Sequence, residues 1–258
     1  MAPGNAARGL PGLHATYLLY DANTGAPLAL IDGDQITRRR TVAASALAAS
    51  WLAAPEARHL LVVGAGEVAR LLPEAYRAVR PIDQVTVWAR QPAQAQALAA
   101  QWRQQGWDAQ ATTDLAAACG QADIVSCATL ATAPVVQGRW LRPGGHLDLI
   151  GSFTPAMREA DDDCLAGAAL YVDTDEALQK SGDLLGPMAR GVVSAADVRG
   201  TLTTLARGQA PGRQAGERTV FKSVGTALED LAAAVLVFES TQALSPAPPA
   251  APPATAQA

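Results

Sequence analysis

Apolar and polar residues alternate in two short runs near the start of the chain, within residues 15–32. Asn23 and Gly25 lie between the two runs, and both residue types adopt the positive φ angles that a tight turn between antiparallel strands requires. The pattern predicts a β-hairpin. A run of small residues follows, with Thr37 as the expected N-cap and Pro55 as the expected terminator, so a helix is predicted between them.

The pattern then changes to short, almost continuous apolar runs separated by helix-forming segments. The predicted strands are residues 59–63, 84–88, 124–128, 146–150 and 170–172, and the predicted crossover helices are residues 68–79 and 93–105. Repeated strand–helix–strand units with apolar strands indicate a parallel sheet covered by helices on both faces. The predicted fold class is therefore α/β, with a doubly wound sheet of the type that binds nucleotides.

The last part of the chain combines an amphipathic segment, residues 219–240, with a tail rich in Pro and Ala, residues 241–258. The first segment is predicted to be a strand or loop that enters a helix. The tail has too few large apolar residues to form a core and too many prolines for regular structure, so it is predicted to be disordered.

Composition argues against several functional classes. The chain has 258 residues, of which 49% are hydrophobic, and a formal net charge of −4. That charge argues against a nucleic-acid partner, since affinity for phosphate backbones comes from clustered Lys and Arg. No apolar run reaches the roughly 20 residues that cross a membrane. Cys119, Cys127 and Cys164 have neither metal-ligand nor disulfide-scaffold spacing. We expect a cytoplasmic protein with no metal, membrane or nucleic acid bound.

An apolar strand leads directly into a glycine-containing turn at residues 60–70, LLVVGAGEVAR. In a turn of this kind Gly64 permits the tight bend, Gly66 lets a pyrophosphate approach the backbone, and Ala69 allows close packing of helix and strand. The helix N-terminus that follows attracts negative charge. The motif predicts a dinucleotide site, and a purely structural turn is the alternative.

The end of the next strand indicates which dinucleotide binds. Domains that prefer NAD place an Asp or Glu there, which accepts hydrogen bonds from the adenosine ribose hydroxyls. Here the strand ends Val87-Trp88-Ala89-Arg90, so no carboxylate is present and the planar cation of Arg90 suits a 2′-phosphate. NADP(H) is therefore predicted in preference to NAD(H), and a solvated surface arginine is the alternative interpretation of Arg90.

Two further predicted strands end in loops of small and polar residues. Thr129 and Ala131 follow the third of these strands, and Gly151 and Ser152 follow the fourth. Ligands of open parallel sheets bind beyond the carboxyl ends of the strands, which makes these residues candidates for cofactor contact. For Thr129, a capping role of the hydroxyl is the alternative.

Taken together, several segments resemble the ornithine cyclodeaminase/mu-crystallin family. They occur in the family's order between residues 2 and 240. The Arg-Thr pair before the Ala-rich helix, combined with the late FKSVG…ED block, is more specific than the glycine motif alone. The matching segments are ATYLLYDANTGAPLALIDG, ITRRRTVAASALAA, VVGAGEVA, ADIVSCATLATAPVVQGRWLRPGGH, IGSFTPAMREADD, YVDTDEALQKSGD and TVFKSVGTALEDLAAA.

The family's fold has a nucleotide domain inserted into a smaller α+β domain that binds substrate and forms a homodimer. The resemblance therefore implies a substrate and dimerisation domain in residues 1–44 and 216–240. An NADP-binding Rossmann domain is implied in residues 45–215, and residues 241–258 remain as the disordered tail.

By the same resemblance, Arg40 and Thr41 lie between the substrate carboxylate and the cofactor. A guanidinium is the best bidentate receptor for a carboxylate, which supports Arg40 as the substrate-binding and catalytic residue. His14 lies in the first strand near the family's pocket and is a further candidate for substrate binding, with a structural role as the alternative. The resemblance places the cofactor against Gly66, Glu67, Val68, Ala89, Arg90, Thr129, Gly151, Ser152 and Ser223.

Phe153 bears on the reaction. The family's cyclodeaminases have an Asp here in a Gly-x-Asp context, whereas this chain has Gly151-Ser152-Phe153. An aromatic ring cannot exchange a proton or activate water, so ornithine cyclodeamination lacks its acid–base group. The IGSFTPAMRE segment resembles that of the family's imine reductases. This implies NADPH-dependent reduction of cyclic ketimines such as Δ1-pyrroline-2-carboxylate and Δ1-piperideine-2-carboxylate to proline or pipecolate.

Two other functions stay open at this point. An NAD-dependent ornithine cyclodeaminase is disfavoured by Phe153 and Arg90, and a non-catalytic NADPH-binding protein is the third interpretation. Members of the family begin earlier, with a helix and strands whose Arg and Lys line the pocket, so the chain is expected to lack the family's N-terminal segment. Either the start was assigned too late or the protein is shorter than its relatives.

Overall fold

The computed structural model describes Asn5, residues 8–10 and residues 12–244. The prediction of disorder is wrong for residues 241–244, which continue the last helix, and the rest of the predicted tail lies outside the described residues. The strands within this part are β1 (Thr16–Tyr20), β2 (Pro27–Asp32), β3 (His59–Val63), β4 (Gln84–Trp88), β5 (Asp108–Ala111), β6 (Ile124–Cys127), β7 (His146–Leu149), β8 (Ala169–Val172), β9 (Val198–Thr201) and β10 (Thr219–Lys222). The helices are α1 (Gly33–Leu52), α2 (Leu72–Arg77), α3 (Pro92–Gln104), α4 (Leu115–Gln121), α5 (Asp162–Leu165), α6 (Ala177–Lys180), α7 (Gly182–Ala189), α8 (Leu202–Ala206) and α9 (Ala227–Leu244).

The smaller of two compact units contains the residues up to Ile36 and from Asp230 onward. Its core is a small apolar cluster in which Leu19 of β1, Ile36 of α1 and Ala234 of α9 are buried. No helix in the described part of the chain is long and apolar enough to cross a membrane.

The predicted hairpin is confirmed, since β1 and β2 pair antiparallel. Its turn differs from the expected one. Gly25 has a positive φ of 71°, but among the described residues only glycines adopt positive φ, so Asn23 does not. Instead, the carboxylate of Asp21 accepts hydrogen bonds from the amides of Asn23 (2.9 Å) and Thr24 (2.8 Å). The side chain of Asp21 therefore organises the turn.

Helix α1 begins before its predicted N-cap. The carboxylate of Asp32, the last residue of β2, accepts hydrogen bonds from the amides of Asp34 (2.9 Å) and Gln35 (3.1 Å). Asp32 therefore caps the helix. The prediction of Thr37 as N-cap is wrong, because Thr37 lies inside α1, where its carbonyl accepts a hydrogen bond from the hydroxyl of Thr41 (2.7 Å).

The larger unit, Thr37–Glu229, is built on eight parallel strands in the order β5-β4-β3-β6-β7-β10-β8-β9. Leu60 and Val62 of β3 pack in one apolar cluster, and Leu61 and Val63 pack in another. Because successive side chains of a strand point to opposite faces, buried layers cover both faces of the sheet. The predicted doubly wound α/β fold is confirmed.

Strand β10 occupies a place in the sheet that its sequence does not reveal. It inserts between β7 and β8, with Thr219 opposite His146 on one side and Ala169 on the other. The family resemblance implied that residues 216–240 belong to the substrate domain, whereas β10 lies in the large sheet. The two units divide inside α1 and α9, after Ile36 and after Glu229.

The helix predicted at residues 68–79 is interrupted. One turn of 3₁₀ helix, Ala69–Leu71, follows the glycine turn, and α2 begins after it. Pro73 in the first turn of α2 has no backbone N–H to bond to the preceding turn, which separates the two helices. Strands β5 and β9 and helix α4 were not predicted, because their sequences, such as DAQA in β5, contain few large apolar residues.

A buried carboxylate attaches two helices to the sheet. Asp148 of β7 is fully buried and accepts hydrogen bonds from the hydroxyls of Ser45 on α1 (3.0 Å), Tyr76 on α2 (2.8 Å) and Ser126 on β6 (2.5 Å). Burial raises the pKa of Asp148 to about 6 against the opposing effect of these hydrogen bonds. Because Ser45 is one helical turn after Thr41, this contact fixes the part of α1 that carries the predicted site residues.

Candidate functional site

Gly64 lets the turns at the ends of β3, β4 and β6 approach one another. The amide of Gly64, directly after β3, donates to the carbonyl of Trp88 at the end of β4 (2.8 Å). Its φ is 120°, and a Cβ at this position would lie 2.5 Å from the carbonyl oxygen of Ala128, which follows β6. A residue with a side chain does not fit here, so the tight bend expected at Gly64 is present.

Space remains above Gly66. This residue is exposed, and a Cβ built on it meets no heavy atom within 4 Å outside its chain neighbours. Ala69 is fully buried beneath the turn, where it joins an apolar cluster. The turn thus combines a tight bend with an open backbone surface, the arrangement that admits a pyrophosphate group.

The neighbouring side chains face different surroundings. Glu67 is exposed and forms ion pairs with Arg38 (3.0 Å) and Arg70 (3.3 Å). Val68 is half-buried against the same apolar cluster as Ala69. Glu67 therefore lies at the surface of the turn, where its carboxylate is partly neutralised.

The loop after β4 lies beside the glycine turn. Ala89 is buried, and Arg90 is exposed two residues after the strand ends. The hydrogen bond between Gly64 and Trp88 keeps this loop next to the turn. The guanidinium of Arg90 is thus accessible to a ligand at this edge of the sheet.

A buried carboxylate joins the loops after β6 and β7. Glu159 is fully buried, and its Oε1 accepts hydrogen bonds from the amide (2.7 Å) and the hydroxyl (2.8 Å) of Thr129. Its Oε2 accepts from the amide of Gly151 (2.6 Å). The hydroxyl of Thr129 in turn accepts from the amide of Ala131 (3.2 Å), so it has the capping contact that was the alternative for this residue. Burial raises the pKa of Glu159 to about 7.

The two serines among the predicted cofactor residues lie at the same edge. The hydroxyl of Ser152 is buried, donates to the carbonyl of Met157 (2.6 Å) and accepts from the amide of Asp183 (3.1 Å). Ser223 follows β10 and is also buried, and its amide donates to the carbonyl of Leu149 (3.1 Å). The hydroxyl of Ser152 therefore links its own loop to the start of α7.

Two more buried charges adjoin Glu159. The carboxylate of Asp183 accepts hydrogen bonds from the amides of Glu159 (2.8 Å) and Ala160 (3.1 Å). Lys222 Nζ donates to the carbonyl of Leu149 (2.9 Å) and lies 3.6 Å from Asp183 Oδ2. All three charged side chains have no solvent exposure. Sequence reasoning missed this cluster, for which a lysine inside the apolar strand TVFK was the available signal.

The side chain of Arg40 is held by a carboxylate of the chain itself. Its Nη1 lies 3.1 Å from Glu229 Oε2, and both side chains are mostly buried. A Cβ on Gly225 would lie 2.5 Å from Nη1, so the glycine provides room for the guanidinium. Burial raises the pKa of Glu229 to about 7, against the opposing effect of the Arg40 charge. Thr41 is buried, and its hydroxyl donates within α1.

His14 belongs to the smaller unit. Its side chain is exposed, and Nδ1 lies 3.9 Å from Asp34 Oδ2. The amide of the next residue, Ala15, donates to the same carboxylate (2.8 Å). These contacts fit the structural alternative, and a substrate role for His14 stays a prediction.

Known proteins resemble the chain over most of its length. The model of the ornithine cyclodeaminase/mu-crystallin family matches residues 1–245. A Δ1-pyrroline-2-carboxylate reductase from Paracoccus denitrificans is 50% identical over 231 residues, which are 88% of this chain and 73% of that protein. A ketimine reductase mu-crystallin from Rattus norvegicus is 36% identical over 238 residues, 92% of this chain and 72% of that protein.

A solved structure shows the same fold. The Δ1-pyrroline-2-carboxylate reductase of Thermococcus litoralis, in complex with NADH and L-proline, superposes with a TM-score of 0.90 at 36% identity. The match covers 94% of this chain and 76% of that chain. On the family match and the identity to these relatives, the chain belongs to the ornithine cyclodeaminase/mu-crystallin family.

Proposed function

We propose that this protein is an NADP-dependent reductase of cyclic ketimines, with Δ1-pyrroline-2-carboxylate or Δ1-piperideine-2-carboxylate as substrate. The observation that carries the proposal is the 50% identity to a Δ1-pyrroline-2-carboxylate reductase, together with a sheet edge that can accept a dinucleotide. By the family resemblance, the proposed assembly is a homodimer, with a small imino or amino acid as its ligand.

The cofactor site follows from the glycine turn. The backbone at Gly64 and Gly66 would hold the pyrophosphate, and Arg90 would hold a 2′-phosphate. Thr129 and Gly151 would line the part of the site beyond β6 and β7. A bound reduced nicotinamide supplies the hydride that the C=N carbon accepts. The related Thermococcus litoralis enzyme is in complex with NADH, so NAD(H) is the alternative that an experiment has to separate.

The substrate carboxylate is assigned to Arg40. A guanidinium presents five N–H donors in one plane and can bind more than one carboxylate, so its pairing with Glu229 is compatible with this role. Holding the substrate against the cofactor removes much of the entropic barrier to the reaction. Phe153 follows Ser152 in the loop after β7 and supplies no acid or base, which favours simple reduction over cyclodeamination.

The proton for the imine nitrogen is assigned to Glu229. In these substrates the nitrogen and the carboxylate are attached to the same carbon, so a group bound to Arg40 beside the carboxylate lies close to the nitrogen. With a pKa of about 7, the carboxyl group of Glu229 is partly protonated at neutral pH, as a general acid must be.

The assignment of the reaction is tested by mixing the purified protein with NADPH and Δ1-pyrroline-2-carboxylate and following the loss of absorbance of the cofactor. We expect turnover with this imine and none with ornithine and NAD⁺. Arg40→Ala should raise KM for the imine steeply, through loss of the carboxylate anchor. Release of ammonia from ornithine would instead identify a cyclodeaminase, and quenching of protein fluorescence by NADPH without turnover would identify a binding protein.

The two glycines of the turn should respond differently to alanine. Gly64→Ala places a side chain at positive φ against the carbonyl of Ala128, and should destabilise the protein by at least ~1–2 kcal/mol. Gly66→Ala meets open space, so its free energy of unfolding should change by less than about 1 kcal/mol. Gly66→Ala should nevertheless weaken NADPH binding. Urea unfolding and fluorescence titration measure the two effects, and normal NADPH binding by Gly66→Ala would remove this turn from the cofactor site.

The preference for NADPH is tested by Arg90→Ala. Loss of hydrogen bonds to a phosphate should raise the Kd for NADPH by about 10- to 100-fold and leave the Kd for NADH nearly unchanged. Arg58→Ala serves as the matched control, since Arg58 is an exposed arginine at the opposite, amino-terminal edge of the sheet. Equal effects of Arg90→Ala on both cofactors would contradict the assignment to NADP.

The proton donor is tested by Glu229→Gln. An amide cannot supply the proton, so kcat should fall by about 100-fold, within the range that a general acid contributes. In the wild type, kcat/KM should decline as the pH rises through about 7, because the required form of Glu229 is the protonated one. Glu229→Asp keeps a titrating group and should retain that decline. Unchanged kcat in Glu229→Gln would limit Glu229 to its ion pair with Arg40.

A further inference from the structure

We propose that Glu159 is a positioning residue for the dinucleotide, whose ionised carboxylate holds the loops after β6 and β7 together at the cofactor edge. This inference rests on the proposed function in that a dinucleotide binds there. Glu159 itself is fully buried and is not expected to touch the cofactor. Its role is exerted through Thr129 and Gly151, the residues that its carboxylate binds.

The carboxylate of Glu159 accepts three hydrogen bonds, and both of its oxygens act as acceptors. Thr129 donates its amide and its hydroxyl to Oε1, and Gly151 donates its amide to Oε2. An ionised carboxylate is an acceptor only and matches all three donors. A glutamine has only one acceptor oxygen, so it can accept hydrogen bonds from only one of the two loops. Its NH₂ group would face the N–H of the other loop. The identity of the side chain therefore decides whether both loops are held.

The loops are in direct contact at Gly151. A Cβ on Gly151 would overlap the carbonyl oxygen of Thr129 and lie 2.5 Å from Glu159 Oε1. The backbones of the two loops thus pack against each other, with the carboxylate beside the contact. Loss of the carboxylate would leave two amide groups without their acceptor at this point, which favours separation of the loops.

The backbone of Glu159 is fixed on two sides. Its amide donates to the carboxylate of Asp183 (2.8 Å), and its carbonyl accepts from the amides of Val135 (2.8 Å) and Val136 (2.9 Å). Val135 and Val136 lie further along the segment after β6 than Thr129, and Asp183 lies on α7. The main chain of Glu159 is therefore held by contacts other than those that its carboxylate makes with Thr129 and Gly151.

The charged and titratable groups that face Glu159 come from three elements: Lys222 from β10, Asp183 from α7 and Cys127 from β6. Lys222 favours the ionised carboxylate, whereas Asp183 and burial oppose it. Protonation would convert one acceptor oxygen into a donor and remove one of the three hydrogen bonds. Acidification should therefore loosen the two loops and weaken dinucleotide binding.

A matched control exists at the opposite edge of the sheet. Asp123 accepts hydrogen bonds from the amides of Arg58 (2.9 Å) and His59 (3.0 Å), at the amino end of β3. It resembles Glu159 in accepting hydrogen bonds from two main-chain amides of a remote segment, but it lies away from the carboxyl ends of the strands. A purely structural role of Glu159 would give Glu159→Gln and Asp123→Asn the same effects.

The test compares wild type, Glu159→Gln and Asp123→Asn by fluorescence titration with NADPH and by amide hydrogen exchange of the ligand-free proteins. In Glu159→Gln the Kd for NADPH should rise about 10- to 100-fold, the ratio expected for losing a hydrogen bond to a charged group. Exchange at Thr129 and Gly151 should become faster. Asp123→Asn should change neither quantity, although it destabilises the protein.

A second measurement needs no variant. The Kd for NADH should rise as the pH is lowered from about 8 to about 6, since the carboxylate then takes up a proton. NADH is the probe because it lacks the 2′-phosphate, whose own pKa of about 6 would otherwise contribute. If Glu159→Gln folds, its Kd for NADH should rise less than that of the wild type when the pH is lowered over the same range.

The outcomes separate this inference from the proposed function. Wild-type protein that binds neither NADPH nor NADH would overturn both. Wild-type binding together with an unchanged Kd in Glu159→Gln, or with equal weakening in Asp123→Asn, would overturn the positioning role alone. If Glu159→Gln does not fold, the wild type alone decides. A Kd for NADH that does not change with pH would then overturn the positioning role.

Discussion

Parallel strands that end at one edge impose the main constraint on this molecule, because their loops have to meet there without filling the space that a ligand needs. The loops after β3, β4 and β6 come together around Gly64, and those after β6 and β7 come together around Gly151. Neither position has room for a side chain. Gly66, two residues further along the chain, faces open space instead. Close backbone packing and an accessible surface are therefore adjacent properties of the same edge.

The loops at this edge are held by buried charges in addition to apolar contacts such as those of Ala89, Ala128 and Ile150. Burying an unpaired carboxylate or ammonium is unfavourable, so each such group must be hydrogen-bonded. Glu159 and Asp183 meet this requirement largely through main-chain amides, and Lys222 through a main-chain carbonyl. Charges that bind the backbone fix the path of a loop more directly than charges that bind each other.

Helix α1 connects this edge to the residue assigned to the substrate. Asp148 holds the helix through Ser45, and Arg40 lies just over one turn earlier on the same helix. Glu229 at the start of α9 then receives the guanidinium. The segment of α1 that carries Arg40 and helix α2, which follows the glycine turn, are therefore held by the same buried carboxylate of the sheet.

The sequence by itself determined the alternating strands and helices, the glycine turn and the family, because periodicity, turn residues and motif order are local properties of the chain. It also led to the assignments of Arg90, from its chemistry at the end of β4, and of Arg40, from the family resemblance. It assigned β10 to the other domain and missed Glu159 and Asp183 as a cluster, since their partners are remote along the chain: Glu159 binds Thr129, thirty positions away. Only the tertiary structure decided these contacts, because pairing of distant strands and burial of charge depend on what the folded chain brings together, and no local pattern records it.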